Sequence, residues 1–218
     1  MEIDFSRVFD YENGFYLTSD IIRFSKFVTH LELFKKSSGV TGDIVECGVF
    51  KGSSLCRWVK FRALLENPYS RRIIAFDTFG KFPKTEYNPD RLKRDRFIRE
   101  AGDMSIPREE LIEILERLNL CENIELIKGN IRKTIPGFLK KNKQLKISLL
   151  NIDVDLYEST KFALEEFYPY VTKRGIVILD DYGAFPGANK AIDDYFKKRK
   201  TVIRKLPFSY SISYLEKE

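Results

Sequence analysis

Four carboxylates stand in two short stretches of this chain, Asn151-Ile152-Asp153-Val154-Asp155 and Leu179-Asp180-Asp181-Tyr182. In each, an apolar run that reads as a β-strand ends in paired acids. Neighbouring parallel strands lie about 4.8 Å apart, so acids at both C-terminal ends would meet in the crevice where open α/β sheets bind ligands. Carboxylates packed so closely repel. They either hold protons through raised pKa values or take up a cation, and oxygen donors without Cys or His favour Mg²⁺ or Ca²⁺ over zinc. The competing reading is that these Asp residues cap the helices that follow.

A second constellation lies upstream. Val45-Glu46-Cys47-Gly48-Val49-Phe50-Lys51-Gly52-Ser53-Ser54 reads as a strand, a turn with two glycines and a helix start, whose free N–H groups and partial positive charge suit a carboxylate or phosphate. The spacing is G-x-x-x-G and lacks the G-x-G-x-x-G of dinucleotide pyrophosphate sites, so a purely steric role for the glycines stays open. Asp77, ending Ala75-Phe76-Asp77, has the position of an acid that accepts hydrogen bonds from ribose hydroxyls; a cap is the alternative. Asn130 ends the next apolar run, where its amide could meet a base or form a turn.

These residues need a scaffold, and the chain supplies one. From Asp43 onward short apolar runs alternate with amphipathic segments, the pattern of βαβ units and a parallel sheet. Strands are expected at Asp43 to Cys47, Arg72 to Phe76, Ile124 to Lys128, Ile147 to Ile152 and Ile176 to Asp180, all buried on both faces. Helices are expected at Ser53 to Leu65, Pro107 to Leu118, Thr160 to Tyr170 and around Ala188 to Tyr195. The tail from Thr201 to Leu215 reads as two short strands broken around Pro207, an antiparallel addition at an edge, which brings the sheet to seven strands. Residues 1–42 form a helical extension, with Ser19-Asp20 as a cap and Ile21, Phe24, Phe27, Val28, Leu31 and Phe34 as a stripe expected to pack into the core or to serve as a substrate lid. Residues 43–218 form the main domain. Lys81 to Asp103, charged and holding Pro83 and Pro89, reads as a surface insertion near the site.

Composition narrows the function. The chain has 218 residues, 43% hydrophobic and 14% aromatic, enough to fill a core and unlike a disordered segment. No apolar run approaches the roughly 20 residues of a membrane span, and no basic segment followed by an apolar one marks a secretory leader, so a cytoplasmic location is the expectation. Cys47, Cys56 and Cys121 show no Cys-x-x-Cys spacing and read as reduced. The single histidine, His30, excludes sites built from several imidazoles; it reads as packed or capping, with a role as base left open. A net charge of +6 permits an acidic partner without naming one.

In this order the motifs resemble the S-adenosylmethionine-dependent sugar O-methyltransferases of the macrocin O-methyltransferase family. The resemblance spans about Asn13 to Phe196 and is most specific at Asp43 to Gly52, Phe76-Asp77-Thr78-Phe79, Asp153 to Thr160, and Asp180-Asp181-Tyr182-Gly183 with Pro186-Gly187. It implies a Rossmann-like class I methyltransferase fold with helices on both faces. It also implies that Glu46, Gly48, Gly52, Ser53 and Ser54 surround the methionine part of the cofactor, that Asp77 holds its ribose, that Asp153, Asp180 and Asp181 bind Mg²⁺, and that Asp155 deprotonates the acceptor. The acceptor would be a sugar or nucleotide-linked sugar. Gly80-Lys81 departs from the family's usual Glu-Gly, and the residues near Asn130 depart as well. A glycosyltransferase using Asp153-Val154-Asp155 is the rival from another reaction class, and a nucleic-acid methyltransferase is the rival suggested by Lys197-Lys198-Arg199-Lys200 and Arg91 to Arg99. Such basic runs are more often solvated helix ends, no stacking array accompanies them, and no nucleic-acid partner is expected. A homo-oligomer is left open.

Overall fold

A computed structural model describes residues 3–218; Met1 and Glu2 of the predicted extension lie outside the described residues. The helices are α1 (Val8–Thr18), α2 (Ile21–Ser37), α3 (Ser53–Leu65), α4 (Asn88–Ala101), α5 (Arg108–Arg117), α6 (Ile131–Lys141), α7 (Tyr157–Phe167) and α8 (Pro186–Phe196). The strands are β1 (Asp43–Cys47), β2 (Ile73–Asp77), β3 (Ile124–Lys128), β4 (Ile147–Ile152), β5 (Val171–Leu179) and β6 (Ser213–Glu216). They form one sheet in the order β3-β2-β1-β4-β5-β6. All pairings are parallel except β5 with β6.

Alternation along each strand explains why the runs are apolar throughout. Val45, Ile74, Phe76 and Leu150 enter one core with Ile135, Leu164 and Ile192 of α6, α7 and α8. Their neighbours Ile44, Ile73, Ala75 and Leu149 enter a second core with Leu33, Trp58 and Leu111 of α2, α3 and α5. Only β3 departs from the expectation of burial on both faces: it is an edge strand with Glu125 and Lys128 exposed.

Among the described residues the sheet has six strands rather than the seven expected. The missing one is the first half of the tail, where Arg204 forms an isolated bridge opposite Tyr214. Pro207 offers no N–H to a ladder, and the chain turns there, with Ser209 N–H donating to the Leu206 carbonyl at 2.9 Å. The stripe on α2 is also corrected. Ile21 and Phe24 are exposed, and the buried face carries Ser25, Thr29, His30, Leu33, Phe34 and Ser37. The helix is turned so that a polar run faces inward, towards the strand ends.

The charged insertion contains α4, opened by Pro89 in its first turn. Fully buried Asp90 docks it: its carboxylate accepts from Tyr157 N–H at 2.9 Å and Gly187 N–H at 2.7 Å, the first turns of α7 and α8, where free amides favour an anion. A Cβ on Gly187 would stand 2.0 Å from an Asp90 oxygen. Glu158 adds a second tie by accepting from the Glu86 and Tyr87 amides, each at 2.9 Å.

Candidate functional site

The strand order reverses at β1, which pairs with β2 on one side and β4 on the other, and a ligand crevice is expected at such a switch point. A cavity of about 740 Å³ lies there, walled by α2, the glycine turn, the exits of β2, β4 and β5, and the insertion through Phe82 and Phe97. Register places the parts: Glu46 is opposite Asn151 and Cys47 opposite Ile152, while Ile152 faces Leu179. Gly48 therefore meets Asp153, and Asp153 stands beside Asp180 and Asp181.

Gly48 has φ +92°, and a Cβ there would lie 1.7 Å from the Asp153 carbonyl oxygen. No other residue fits this approach. Gly52, φ +86°, is the N-cap of α3 and supplies no side-chain cap, so the first amides of α3 are left for a ligand beside Ser53 and Ser54, both on the cavity wall. Phe50, Phe79 and Asp155 also adopt positive φ, at 49°, 44° and 59°. These strained positions sit at the exits of β1, β2 and β4, as expected where a chain is bent around a site.

Of the residues predicted for the site, all but Glu46 and Gly52 line the cavity. Glu46 is fully buried beneath the turn. Its Oε1 accepts from Trp58 Nε1 and Asn151 Nδ2, each at 3.0 Å, Oε2 has no partner, and burial pushes the carboxyl up to about 7 against those donors. Asp77 lies on the wall but is held by the protein. It accepts from the Val49 and Phe50 amides at 2.8 and 3.0 Å and from the Phe79 amide at 2.7 Å, pinning the glycine turn to the β2 exit. Asn130 caps α6 by accepting from the Arg132 amide at 2.9 Å.

Of the four acids, Asp153, Asp155 and Asp181 each bring a carboxylate oxygen within 4.8 Å of the others. Three hard oxygen donors at that spacing, with no thiolate or imidazole among them, fit a Mg²⁺- or Ca²⁺-like ion. The Asp155 amide donates to Asp181 Oδ2 at 2.7 Å, which fixes the left-handed bend. Burial and the neighbouring acids raise Asp153 to about 6 and Asp155 to about 7 and lift Asp181 well above the ordinary carboxylate range.

Asp180, the fourth acid, is turned to α2. Its Oδ2 accepts from Lys26 Nζ at 2.7 Å, and His30 Nε2 stands 3.7 Å from Oδ1. Burial alone would raise Asp180, but Lys26 and His30 hold it below its ordinary value. His30 stacks on Trp58 with ring centroids 4.4 Å apart, and burial lowers it to about 4, so it is a neutral, packed ring at neutral pH. Lys26 and the cavity-lining Arg57 were not foreseen. Lys26 lies one turn before His30, and a lysine among Ser25, Thr29 and His30 on one helix face was the available signal.

The macrocin O-methyltransferase (TylF) family model matches residues 23–206. The chain belongs to the macrocin O-methyltransferase family. It is 31% identical over 163 residues to the 8-demethyl-8-(2,3-dimethoxy-alpha-L-rhamnosyl)-tetracenomycin-C 4'-O-methyltransferase of Streptomyces olivaceus, covering 73% of this chain and 59% of that one. It is 28% identical over 165 residues to the demethyldecarbamoylnovobiocin O-methyltransferase of Streptomyces niveus, covering 74% and 60%. The chain thus spans about three fifths of the curated relatives it matches. Among solved structures it is similar to CalS11, a calicheamicin methyltransferase, with TM-score 0.79, 29% identity and coverage of 99% of this chain and 86% of that one. That match bears out the expected Rossmann-like class I methyltransferase fold. Family and fold together set aside the Asp-x-Asp glycosyltransferase reading. No helix among the described residues is long and apolar enough to cross a membrane.

Proposed function

We propose that this protein transfers the methyl group of S-adenosylmethionine to a hydroxyl of a sugar, with a divalent cation such as Mg²⁺ at the acidic cluster. The observation that carries the reading is the meeting of Asp153, Asp155 and Asp181 beside the Gly48 turn, in one cavity at the switch point of the sheet. The relatives support a sugar hydroxyl: one is named for a rhamnosyl 4'-O-methylation, and CalS11 is described as a TDP-rhamnose 3'-O-methyltransferase. The acceptor class comprises nucleotide-linked deoxysugars, polysaccharides and glycosylated natural products.

The chain's own residues then have distinct tasks. The uncapped amides at the start of α3, with Ser53 and Ser54, hold the methionine carboxylate. Asp77 shapes the turn where the ribose lies, and Asn130 borders the base. Glu46 supports the turn from beneath. Asp153 and Asp181, with Asp180 beside them, would hold the cation, which would supply Lewis-acid activation of the acceptor hydroxyl. Asp155, beside Asp153 and Asp181 within the same cavity, takes the proton as a carboxylate base. Alignment of the oxygen with an already activated methyl group supplies most of the remaining acceleration. The N-terminal extension serves as a lid, from which α2 contributes Ile22, Arg23 and Lys26 to the cavity wall.

The test is a methyl-transfer screen with nucleotide-linked deoxysugars and Mg²⁺, alongside titrations with S-adenosylmethionine and with nucleotide sugars alone. Binding of S-adenosylmethionine and loss of transfer on chelation, restored by Mg²⁺, are expected. Failure to bind S-adenosylmethionine refutes the reaction class, and transfer undiminished by exhaustive chelation refutes the cation.

A further inference from the structure

We propose that Lys26 is a positioning residue of this site, a built-in cation delivered by the N-terminal helix that offsets one of the four clustered carboxylates. The inference rests on the cation-assisted reading above. Lys26 Nζ lies 2.7 Å from Asp180 Oδ2 and 3.5 Å from Asp153 Oδ2. Among the described residues it is the only lysine or arginine in an ion pair with any of Asp153, Asp155, Asp180 and Asp181. Its surroundings are largely buried, with Asp180 7% exposed and His30 fully enclosed, so water screens the pair little.

Charge counting shows what the lysine does. When all are ionised, the four acids carry four negative charges; a divalent cation offsets two and Lys26 a third. Arg57 adds a further positive charge on the cavity wall, without an ion pair to the acids. Without Lys26 the cluster would carry an excess charge and attract a cation more strongly, while Asp180, released from its partner, would add a protein oxygen where the acceptor must bind.

The experiment measures Mn²⁺ binding by calorimetry and methyl transfer at saturating metal, for the wild type, Lys26→Met, Lys26→Arg, Asp180→Asn and the Lys26→Met/Asp180→Asn pair. Lys26→Met should bind Mn²⁺ about tenfold more tightly and turn over more slowly, with Lys26→Arg near wild type on both. Asp180→Asn should bind about tenfold more weakly, because the lysine then repels the ion uncompensated, and the double variant should return to within a few-fold of wild type. A merely structural lysine would not tighten binding. Unchanged or weaker binding in a folded Lys26→Met protein overturns the inference, and if that variant does not fold, a Lys26→Met/Asp180→Asn pair that binds no more tightly than Asp180→Asn alone overturns it. A wild type that takes up no Mn²⁺ refutes the cation reading itself and is seen without any variant.

Discussion

Glu46→Gln should make the protein more stable, and increasingly so as the pH rises. Glu46 is fully buried, both of its donors reach Oε1, and Oε2 has no partner. Gln keeps the accepting oxygen and places its amide nitrogen where the carboxylate already lacked a partner. Burial raises the carboxyl from its ordinary 4.5 to about 7. Below about pH 4.5 the folded and unfolded chains both hold the proton, and Glu46 contributes no pH dependence. Between 4.5 and 7 the unfolded chain releases it while the folded protein keeps it, so the wild type loses stability as pH rises through that window. At about 1.4 kcal/mol per pH unit the loss reaches about 3 kcal/mol once pH exceeds the folded value. Urea unfolding of both proteins at about pH 5 and about pH 8 tests this, with the advantage of the variant growing by up to about 3 kcal/mol between them. Parallel stability profiles would show that Glu46 is ionised in the folded protein and that the buried-carboxyl argument is wrong.

Asp155→Asn should abolish methyl transfer while leaving S-adenosylmethionine affinity within a few-fold, read by calorimetry beside a radiolabel assay; near-normal transfer would remove Asp155 as the base. Gly48→Ala forces a Cβ to within 1.7 Å of the Asp153 carbonyl oxygen at φ +92°, so it should lower stability by about 3 kcal/mol or more and eliminate cofactor binding, which thermal unfolding with and without S-adenosylmethionine would show. Asp90→Ala leaves a buried amide on α8 and a part-buried one on α7 without their acceptor, which should cost about 2 to 4 kcal/mol. α4 lines the cavity through Lys93, Arg96 and Phe97, the wall that meets the acceptor under the proposed function, so KM for the sugar should rise well beyond any change in cofactor Kd.

The turn at Gly48, the acid that ends β2 and the acidic pairs after β4 and β5 were all legible in the sequence, because each closes a run of residues that a doubly covered parallel strand accommodates. Their convergence was legible too, since acids at the C-terminal ends of adjacent strands can only share one crevice. Helix α6 was not foreseen: Pro136 lies inside it, and proline argues locally against a helix that burial of Ile131, Ile135, Phe138 and Leu139 nonetheless stabilises. The face of α2 was misread for a related reason. Its apolar residues outnumber the sites available, and hydropathy favoured Ile21 and Phe24 over the Ser25, Thr29 and His30 that the fold buries.

By itself the sequence therefore determined the parallel α/β scaffold and the acidic pairs at two of its strand ends, since these follow from periodicity and from residue types at strand ends. Only the tertiary structure decided how the charges are distributed within that cluster. It grouped Asp153, Asp155 and Asp181, assigned Asp180 to Lys26, and withdrew Glu46 and much of Asp77 into supporting the turn. Those outcomes depend on which way a side chain turns and on a helix more than 100 residues away in the chain, and neither is encoded in local spacing.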